Sequence, residues 1–248
     1  MAVRPVEEDA RHLDWSAVFE RGASLWPEKS EHRDQRRSIP RSWRGLHRET
    51  IYSRVFKRGL DLVVGLVGIA LLLLVIPVVA AVVRLDSQGP VFFRQTRIGR
   101  YGKPFKIWKF RTMTHAPNDE FRLFHGEDGQ YRHKIPDDPR VTRIGRILRR
   151  TSLDETPQII NVLRGDMSLV GPRPELPQIV QNYQVWQHQR HAVRPGLTGW
   201  WQVNGRGDRP MHEHTEFDIY YLENLSWRLD AIILWRTIRF VLRQAGAF

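Results

Sequence analysis

The sequence predicts an α+β, helix-rich membrane protein. Three observations predict it: an apolar run from Leu62 to Val83, a stretch from Gly89 to Met113 in which apolar and basic residues alternate around glycines, and arginines at helical spacing after Arg140 and again after Trp227. The balance of 39 Lys+Arg against 27 Asp+Glu gives a net charge of +12, which favours anionic partners such as phospholipid headgroups, phosphorylated substrates or nucleic acid. The absence of cysteine excludes disulfides and thiolate zinc sites.

Residues 1–50 are polar and weakly periodic, interrupted by Pro5, Pro27 and Pro40, and read as a partly disordered N-terminal extension. Residues 51–248 read as the folded domain, with a membrane helix at 60–84. The run Leu62–Val83 holds no charged side chain, and its 22 residues would make a helix of roughly 33 Å, enough to cross hydrocarbon. Its flanks complicate a simple crossing. Arg33 to Asp61 carries nine basic and three acidic residues, and Arg84 to Arg111 carries eight and one. The positive-inside rule wants both flanks on the cytoplasmic face, which a helix that enters, bends and returns satisfies. Pro77, where one backbone hydrogen bond is lost, is the expected break of such a re-entrant hairpin.

Beyond the membrane helix, "GPVFFRQTRIGRYGKPFKIWKFRTM" suggests short strands and turns, and "FRLFHGEDGQYRHKIPDDP" reads as a loop. Arg140, Arg143, Arg146, Arg149 and Arg150, interleaved with Ile144, Ile147 and Leu148, build an amphipathic helix with a cationic stripe. "WRLDAIILWRTIRFVLRQ" does the same near the end, with Arg236, Arg239 and Arg243 on one face. That pattern suits either a headgroup layer or a helix with one wet side.

Between these helices Asp154 and Glu155 stand side by side. Alone they would read as acids complementing a helix start capped by Thr151 or Ser152. Their surroundings point elsewhere. Arg149, Arg150, Arg164 and Arg173 supply cations for phosphate oxygens, and Pro172 and Pro174 fix φ on both sides of Arg173. Two hard oxygen donors can retain Mg²⁺ together with a substrate phosphate, and a carboxylate can itself attack phosphorus. These are the parts of a phosphoryl-transfer site. Further candidate substrate and phosphate binders are Arg111, and Arg194, Gln202 and Arg206 from "RPGLTGWWQVNGRG", whose tryptophans and arginines suit a sugar, a nucleotide or a membrane face. Asn204-Gly205 marks a tight turn there. His212-Glu213-His214 has no third ligand at a recognisable spacing and reads as a surface turn. Arg206-Gly207-Asp208 reads as coincidence.

Five blocks in order, "FKRGLDLVVG", "GPVFFRQTRIGRYGKPFKIWKFRTM", "LDETPQIINVLRGDMSLVGPRP", "RPGLTGWWQVNGRG" and "FDIYYLENLSWRLD", resemble the bacterial sugar transferase family, the monotopic phosphoglycosyl transferases. The resemblance covers about Tyr52 to the C-terminus. It implies a re-entrant membrane helix carrying a cytoplasmic catalytic domain with interfacial helices, at the bacterial inner membrane with both termini in the cytoplasm. It implies transfer of a phospho-sugar from a UDP-sugar to polyprenol (undecaprenyl) phosphate, with release of UMP, as the first membrane step of exopolysaccharide, capsule or O-antigen-type assembly. By the same resemblance Asp154 is the nucleophile of a covalent phosphosugar intermediate, Glu155 helps Asp154 hold Mg²⁺, and Arg173 binds phosphate. Membrane lipids are expected partners, nucleic acid is not, and a homo-oligomer is left open. Ile76-Pro77 replaces the Ser-Pro of some members, and Thr156 the leucine of many. A minimal catalytic form with a short arm is expected. The rival readings are a membrane-tethered nucleic-acid-binding or scaffold protein, and a glycosyltransferase that releases UDP.

Overall fold

The computed structural model describes residues 51–114, 124–125, 131–132, 138–204 and 214–242. The chain divides into two compact units, residues 1–48 with 118–135, and residues 49–117 with 136–248. Of the first, the described part is a short ladder of β3 (Phe124–His125) and β4 (Tyr131–Arg132), with Phe124 opposite Arg132 and His125 opposite Tyr131. The sequence reads as loop there because two-residue strands are too short to show an alternation.

The second unit is built on helix α1 (Lys57–Asp86), which continues from a π-helical turn at Tyr52–Phe56. It is longer at both ends than the expected 60–84, because charged residues at its ends have partners within the unit. Arg58 donates to the carbonyls of Val162 and Leu163 at 2.7 and 2.9 Å. Asp61 accepts from the Ser168 hydroxyl and the Leu169 N–H, both at 2.9 Å. At the other end Asp86 accepts from the Ile144 N–H at 3.0 Å. Between these ties a stripe of Asp61, Gly65, Leu72, Val79 and Val83 is buried, while Val63, Leu66, Leu71, Leu73, Leu74 and Val78 remain exposed. Gly65 lets the helix pack closely on Leu163, whose side chain would have to shift for a Cβ there, 2.7 Å from its Cδ2. Pro77 lies within the helix, which stays helical on both sides of it. The expected break is therefore not an interruption of helix. A proline removes one backbone hydrogen bond, and the turns around it persist where neighbouring packing holds them, here at Leu72 and Val79.

The alternating stretch forms the expected hairpin. Strands β1 (Phe92–Ile98) and β2 (Pro104–Phe110) pair antiparallel from Phe92–Phe110 to Ile98–Pro104. Tyr101 adopts φ 58° in the turn between them. Asn161 serves the outer edge of β2 as a strand would: its Oδ1 accepts from the Trp108 N–H at 3.1 Å, and its Nδ2 donates to the Lys106 carbonyl at 2.9 Å. The arginine stripe forms α2 (Arg143–Arg150), N-capped by Thr142, whose Oγ1 accepts from the Gly145 N–H at 2.9 Å. A 3₁₀ turn (Leu153–Gln158) leads into α3 (Ile159–Arg164), which ends at left-handed Gly165. The short parallel pair β5 (Ser168–Val170) and β6 (Gly196–Thr198) encloses α4 (Pro177–Val180) and a 3₁₀ segment (Val185–Ala192). Helices α5 (Trp200–Asn204), α6 (Glu216–Glu223) and α7 (Trp227–Leu242) close the unit. Trp200 to Asn204 are thus helical, and the Asn-Gly turn expected next to them lies partly outside the described residues.

Within this unit the core joins α1 to the other elements: Leu72, Val79 and Val83 share one buried cluster with Phe110, Leu148, Val162, Met167, Val170, Tyr221 and Ile233. Asp230 of α7 is buried in this core and accepts from Tyr52 (2.6 Å), Lys57 (2.5 Å) and Tyr221 (2.8 Å), tying the last helix to the first. Leu229 and Ile233 of α7 point inward, whereas Trp227, Ile232, Trp235, Arg236 and Arg239 are exposed. Arg243 lies outside the described residues.

Candidate active site

The acidic pair sits in the first turn of the 3₁₀ segment Leu153–Gln158. Neither Thr151 nor Ser152 caps it through a side chain. Ser152 takes φ 58°, and its carbonyl accepts from the Glu155 N–H at 3.3 Å. This left-handed residue breaks the register of α2 and turns the two acids toward β2 and the loop after β5. Asp154 is 8% exposed.

The two carboxylates have different surroundings. Glu155 Oε1 accepts from Lys109 of β2 at 2.7 Å and from Arg173 Nη2 at 2.5 Å, and Oε2 accepts from Arg173 Nη1 at 3.1 Å. Burial alone would push the Glu155 carboxyl up, but Arg173 and Lys109 outweigh it and hold it well below the ordinary carboxylate range. Among the described residues no donor lies within hydrogen-bonding distance of Asp154. Burial pushes its carboxyl up, Lys109 draws it back, Glu155 adds to the rise, and the net direction is upward. Neighbouring acids whose environments separate their protonation in this way can take different chemical roles.

Arg173 is placed by its backbone. Gly171, just before Pro172, lies against Gly196 and Gly199 with no room for side chains: a Cβ on Gly196 would sit 2.1 Å from the Gly171 nitrogen, and one on Gly199 2.2 Å from the Gly171 oxygen. The Gly171 N–H donates to the Thr198 carbonyl at 2.9 Å, and the Gly196 N–H to the Pro172 carbonyl at 2.8 Å. The Gly-Pro-Arg-Pro and Arg-Pro-Gly-Leu-Thr-Gly stretches thus cross backbone to backbone, and Arg173 projects from the crossing.

Of the other expected binders, Arg149 lies beside the dyad. Its Nε donates to Thr112 Oγ1 at 2.9 Å, and burial lowers its pKa while Asp154 opposes the shift. Arg111, also among the expected binders, lies at the end of α1. It is buried and donates to the carbonyls of Val83, Ser87 and Gln88 at 3.2, 2.6 and 2.8 Å, capping the end of α1. Arg194 is half-buried and grouped with Arg100, Arg58 and Asp61 instead of with the dyad. Gln202 is buried, and its Nε2 donates to the Leu197 carbonyl at 3.0 Å, a brace on β6. Arg206 lies outside the described residues, as do His212 and Glu213. His214 contacts Glu216 at 2.8 Å.

The sequence reading missed Lys109, Arg97 and Arg190. Lys109 had a signal, being a cation inside a strand otherwise apolar on that face, with Phe105 and Ile107. Arg97 contacts Glu175 at 3.5 Å, and burial pushes its pKa down to about 10. For a divalent cation the described residues hold no group of three ligand side chains. The donor set is Asp154, with no competing donor among the described residues, and Glu155, already shared with two cations. Such a set suits a magnesium ion that arrives bound to a diphosphate, since Mg²⁺ at such sites keeps waters and substrate oxygens beside one or two carboxylates. The arrangement therefore offers a carboxylate free to attack, a second fixed as an anion, and three cations around them.

Comparison with known proteins adds to this geometry. The model of the bacterial sugar transferase family matches residues 52–244. The chain is 42% identical over 198 residues to the UDP-glucose:undecaprenyl-phosphate glucose-1-phosphate transferase of Escherichia coli K12, covering 75% of this chain and 40% of that protein. It is 38% identical over 200 residues to the UDP-N-acetylgalactosamine-undecaprenyl-phosphate N-acetylgalactosaminephosphotransferase of Aeromonas hydrophila, covering 77% and 44%. It is 35% identical over 200 residues to the exopolysaccharide production protein ExoY of Sinorhizobium fredii, covering 78% and 88%. The chain thus spans less than half of the first two relatives and most of the third.

Proposed function

The chain belongs to the bacterial sugar transferase family, and on that premise we propose that it transfers a phospho-sugar from a UDP-sugar to undecaprenyl or a related polyprenol phosphate, in exopolysaccharide-type glycan assembly. The named activities of the Escherichia coli and Aeromonas relatives support the reaction class, and ExoY supports the setting. The observation that carries the mechanism is the asymmetry of the dyad: Glu155 is clamped by Lys109 and Arg173, and among the described residues Asp154 has no such clamp.

In this reading an Asp154 carboxylate oxygen attacks the sugar-bearing phosphorus. A P–O bond forms to Asp154, the bond to the nucleotide phosphate breaks, and UMP leaves. An oxygen of the lipid phosphate then attacks the same phosphorus, and Asp154 departs as carboxylate, leaving polyprenyl diphosphosugar. Two steps avoid bringing two phosphorylated substrates together in one transition state, and ping-pong kinetics follow. Arg173 and Arg149 offset charge on the diphosphate, while Lys109 and Arg173 keep Glu155 ionised beside it. Bound Mg²⁺, held by Asp154 and Glu155 with the diphosphate, would supply Lewis-acid stabilisation of the leaving phosphate.

We place the site at the cytoplasmic face of the inner membrane. Both charged flanks of α1 are basic, and both its ends are tied to one unit, through Asp61 to β5 and through Asp86 to α2. That favours a membrane helix which enters and leaves on one side. The exposed Trp227, Trp235 and Arg236 of α7 suit a headgroup layer.

The test is incubation of the purified chain in lipid with Mg²⁺, polyprenol phosphate and a panel of labelled UDP-sugars. UMP release with label on the lipid is expected, and UDP release would overturn the reading. Without lipid phosphate, labelled sugar phosphate should be trapped on the wild-type protein and not on Asp154→Asn. Labelling of that variant would remove Asp154 from the role.

A further inference from the structure

A second and deeper ion pair lies behind the Glu155 clamp. Arg190, on the 3₁₀ segment Val185–Ala192, meets Asp218 of α6 at 2.8 Å, with the side chains 1% and 2% exposed. Burial pushes the Asp218 carboxyl up to about 6 despite Arg190 beside it. Holding such a pair away from water is costly, and well-packed apolar residues of similar volume often serve a core as well or better. Such a pair can set the position of its neighbours, which an apolar pair does not do.

The remaining donors of Arg190 indicate what that is. Nη1 donates to the Tyr183 hydroxyl, and Nη2 donates to the backbone carbonyl of Arg173 at 2.7 Å. Arg190 is therefore oriented by Tyr183 and Asp218 while it holds the peptide unit from which the clamp on Glu155 projects. Close packing does not duplicate that hold, because Arg173 and Arg190 both line a small cavity with Pro172, Pro174, His191 and Val193. The prolines fix φ at 172 and 174, and Pro174 keeps ψ of Arg173 in the extended range, within which the Arg190 contact sets where the Arg173 carbonyl lies.

We propose that Arg190 and Asp218 are a positioning pair for the transfer reaction: they fix the Arg173 carbonyl, and so aim the Arg173 guanidinium at Glu155 and at the diphosphate of the nucleotide sugar. The inference rests on the function proposed above. Neither residue touches the substrate in this scheme, and both act through Arg173.

Two measurements test it, on the full chain in lipid nanodiscs. The first is a double-mutant cycle on UMP release with a UDP-sugar the wild type accepts. Arg190→Lys keeps charge but loses the fork, and Asp218→Asn removes the charge that orients it. Each is expected to lower kcat/KM for the nucleotide sugar about tenfold in the wild type, and less than about twofold in an Arg173→Lys background. Equal losses in both backgrounds would show an ordinary structural tie and overturn the proposal. Tyr183→Phe removes one partner of Arg190 and supports the same comparison, with a loss of about threefold, if the charged variants fold poorly. The second is amide hydrogen exchange, independent of turnover. In Asp218→Asn, exchange across Gly171–Glu175 should rise while α7 keeps its protection. Unchanged exchange there overturns the positioning role whether or not UMP is released, whereas failure of the wild type to release UMP would count against the proposed reaction instead.

Discussion

Arg173 puts both terminal nitrogens on the Glu155 carboxylate, at 2.5 and 3.1 Å, and among the described residues the neighbouring Asp154 has no such clamp. The contact depends on a planar fork that lysine lacks. Arg173→Lys should therefore cost about 1.5 to 3 kcal/mol in transition-state binding, or roughly ten- to a hundredfold in kcat/KM. Steady-state kinetics for UMP release, with the thermal midpoint as a control for folding, check this.

The dyad also fixes a pH dependence. In the proposed mechanism Asp154 attacks as the carboxylate, and its carboxyl is shifted upward by burial, so the acid limb of phosphosugar capture should lie above the ordinary carboxylate range. Lys109 draws that carboxyl down. Lys109→Met should then move the limb to still higher pH, alongside a general loss of rate from the freed Glu155. Single-turnover capture measured from pH 4 to 8 would show the displacement.

Magnesium binding should depend on nucleotide. Glu155 shares its oxygens with Lys109 and Arg173, leaving the protein alone a poor donor set. Calorimetry on Asp154→Asn would confound the metal with a lost ligand, so the wild type with UDP is the better system. Mg²⁺ affinity should rise by about an order of magnitude when UDP is present, and Glu155→Gln should blunt the rise.

Gly145 sits under the Thr112 carbonyl, where a Cβ would lie 2.0 Å from the oxygen. Gly145→Ala should destabilise the protein by about 1 to 3 kcal/mol, as overpacking against backbone does, and draw Arg149 away from Thr112. Thermal unfolding and UMP release should both fall.

The absence of cysteine makes membrane topology directly measurable. Ile51→Cys and Gln88→Cys place single thiols at exposed positions on either side of α1. Both should react with an impermeant maleimide from the cytoplasmic side only. Labelling of one from each side would establish a spanning helix.

The parts of the fold that follow local rules were legible. The apolar run, the β1–β2 hairpin and the arginine helix α2 each carry their period in the residues themselves. The dyad was legible too, because Asp154, Glu155 and Arg173 lie within twenty residues. Lys109 and Arg190 were not, since each reaches the site through pairings across the fold that no spacing records. The basic surplus misled in one respect. Arg58 and Arg111, counted among the charges that flank the membrane run, spend their donors on carbonyls inside the protein. A residue count cannot separate a cation that meets an anionic partner from one that finishes a helix.

The stripe from Asp61 to Val83 has a practical consequence for anyone wishing to handle the enzyme without lipid. Leu72, Val79 and Val83 belong to the same core as Val162 and Ile233, and Asp61 supplies acceptors to β5. Cutting the chain after the greasy segment would strip a wall from the catalytic body, expose the side chains it covered and take from Arg111 the Val83 carbonyl to which it donates. No water-soluble fragment should be obtainable by that route. Helix α1 is therefore part of the folded state, and detergents or nanodiscs are needed because that helix has to be kept.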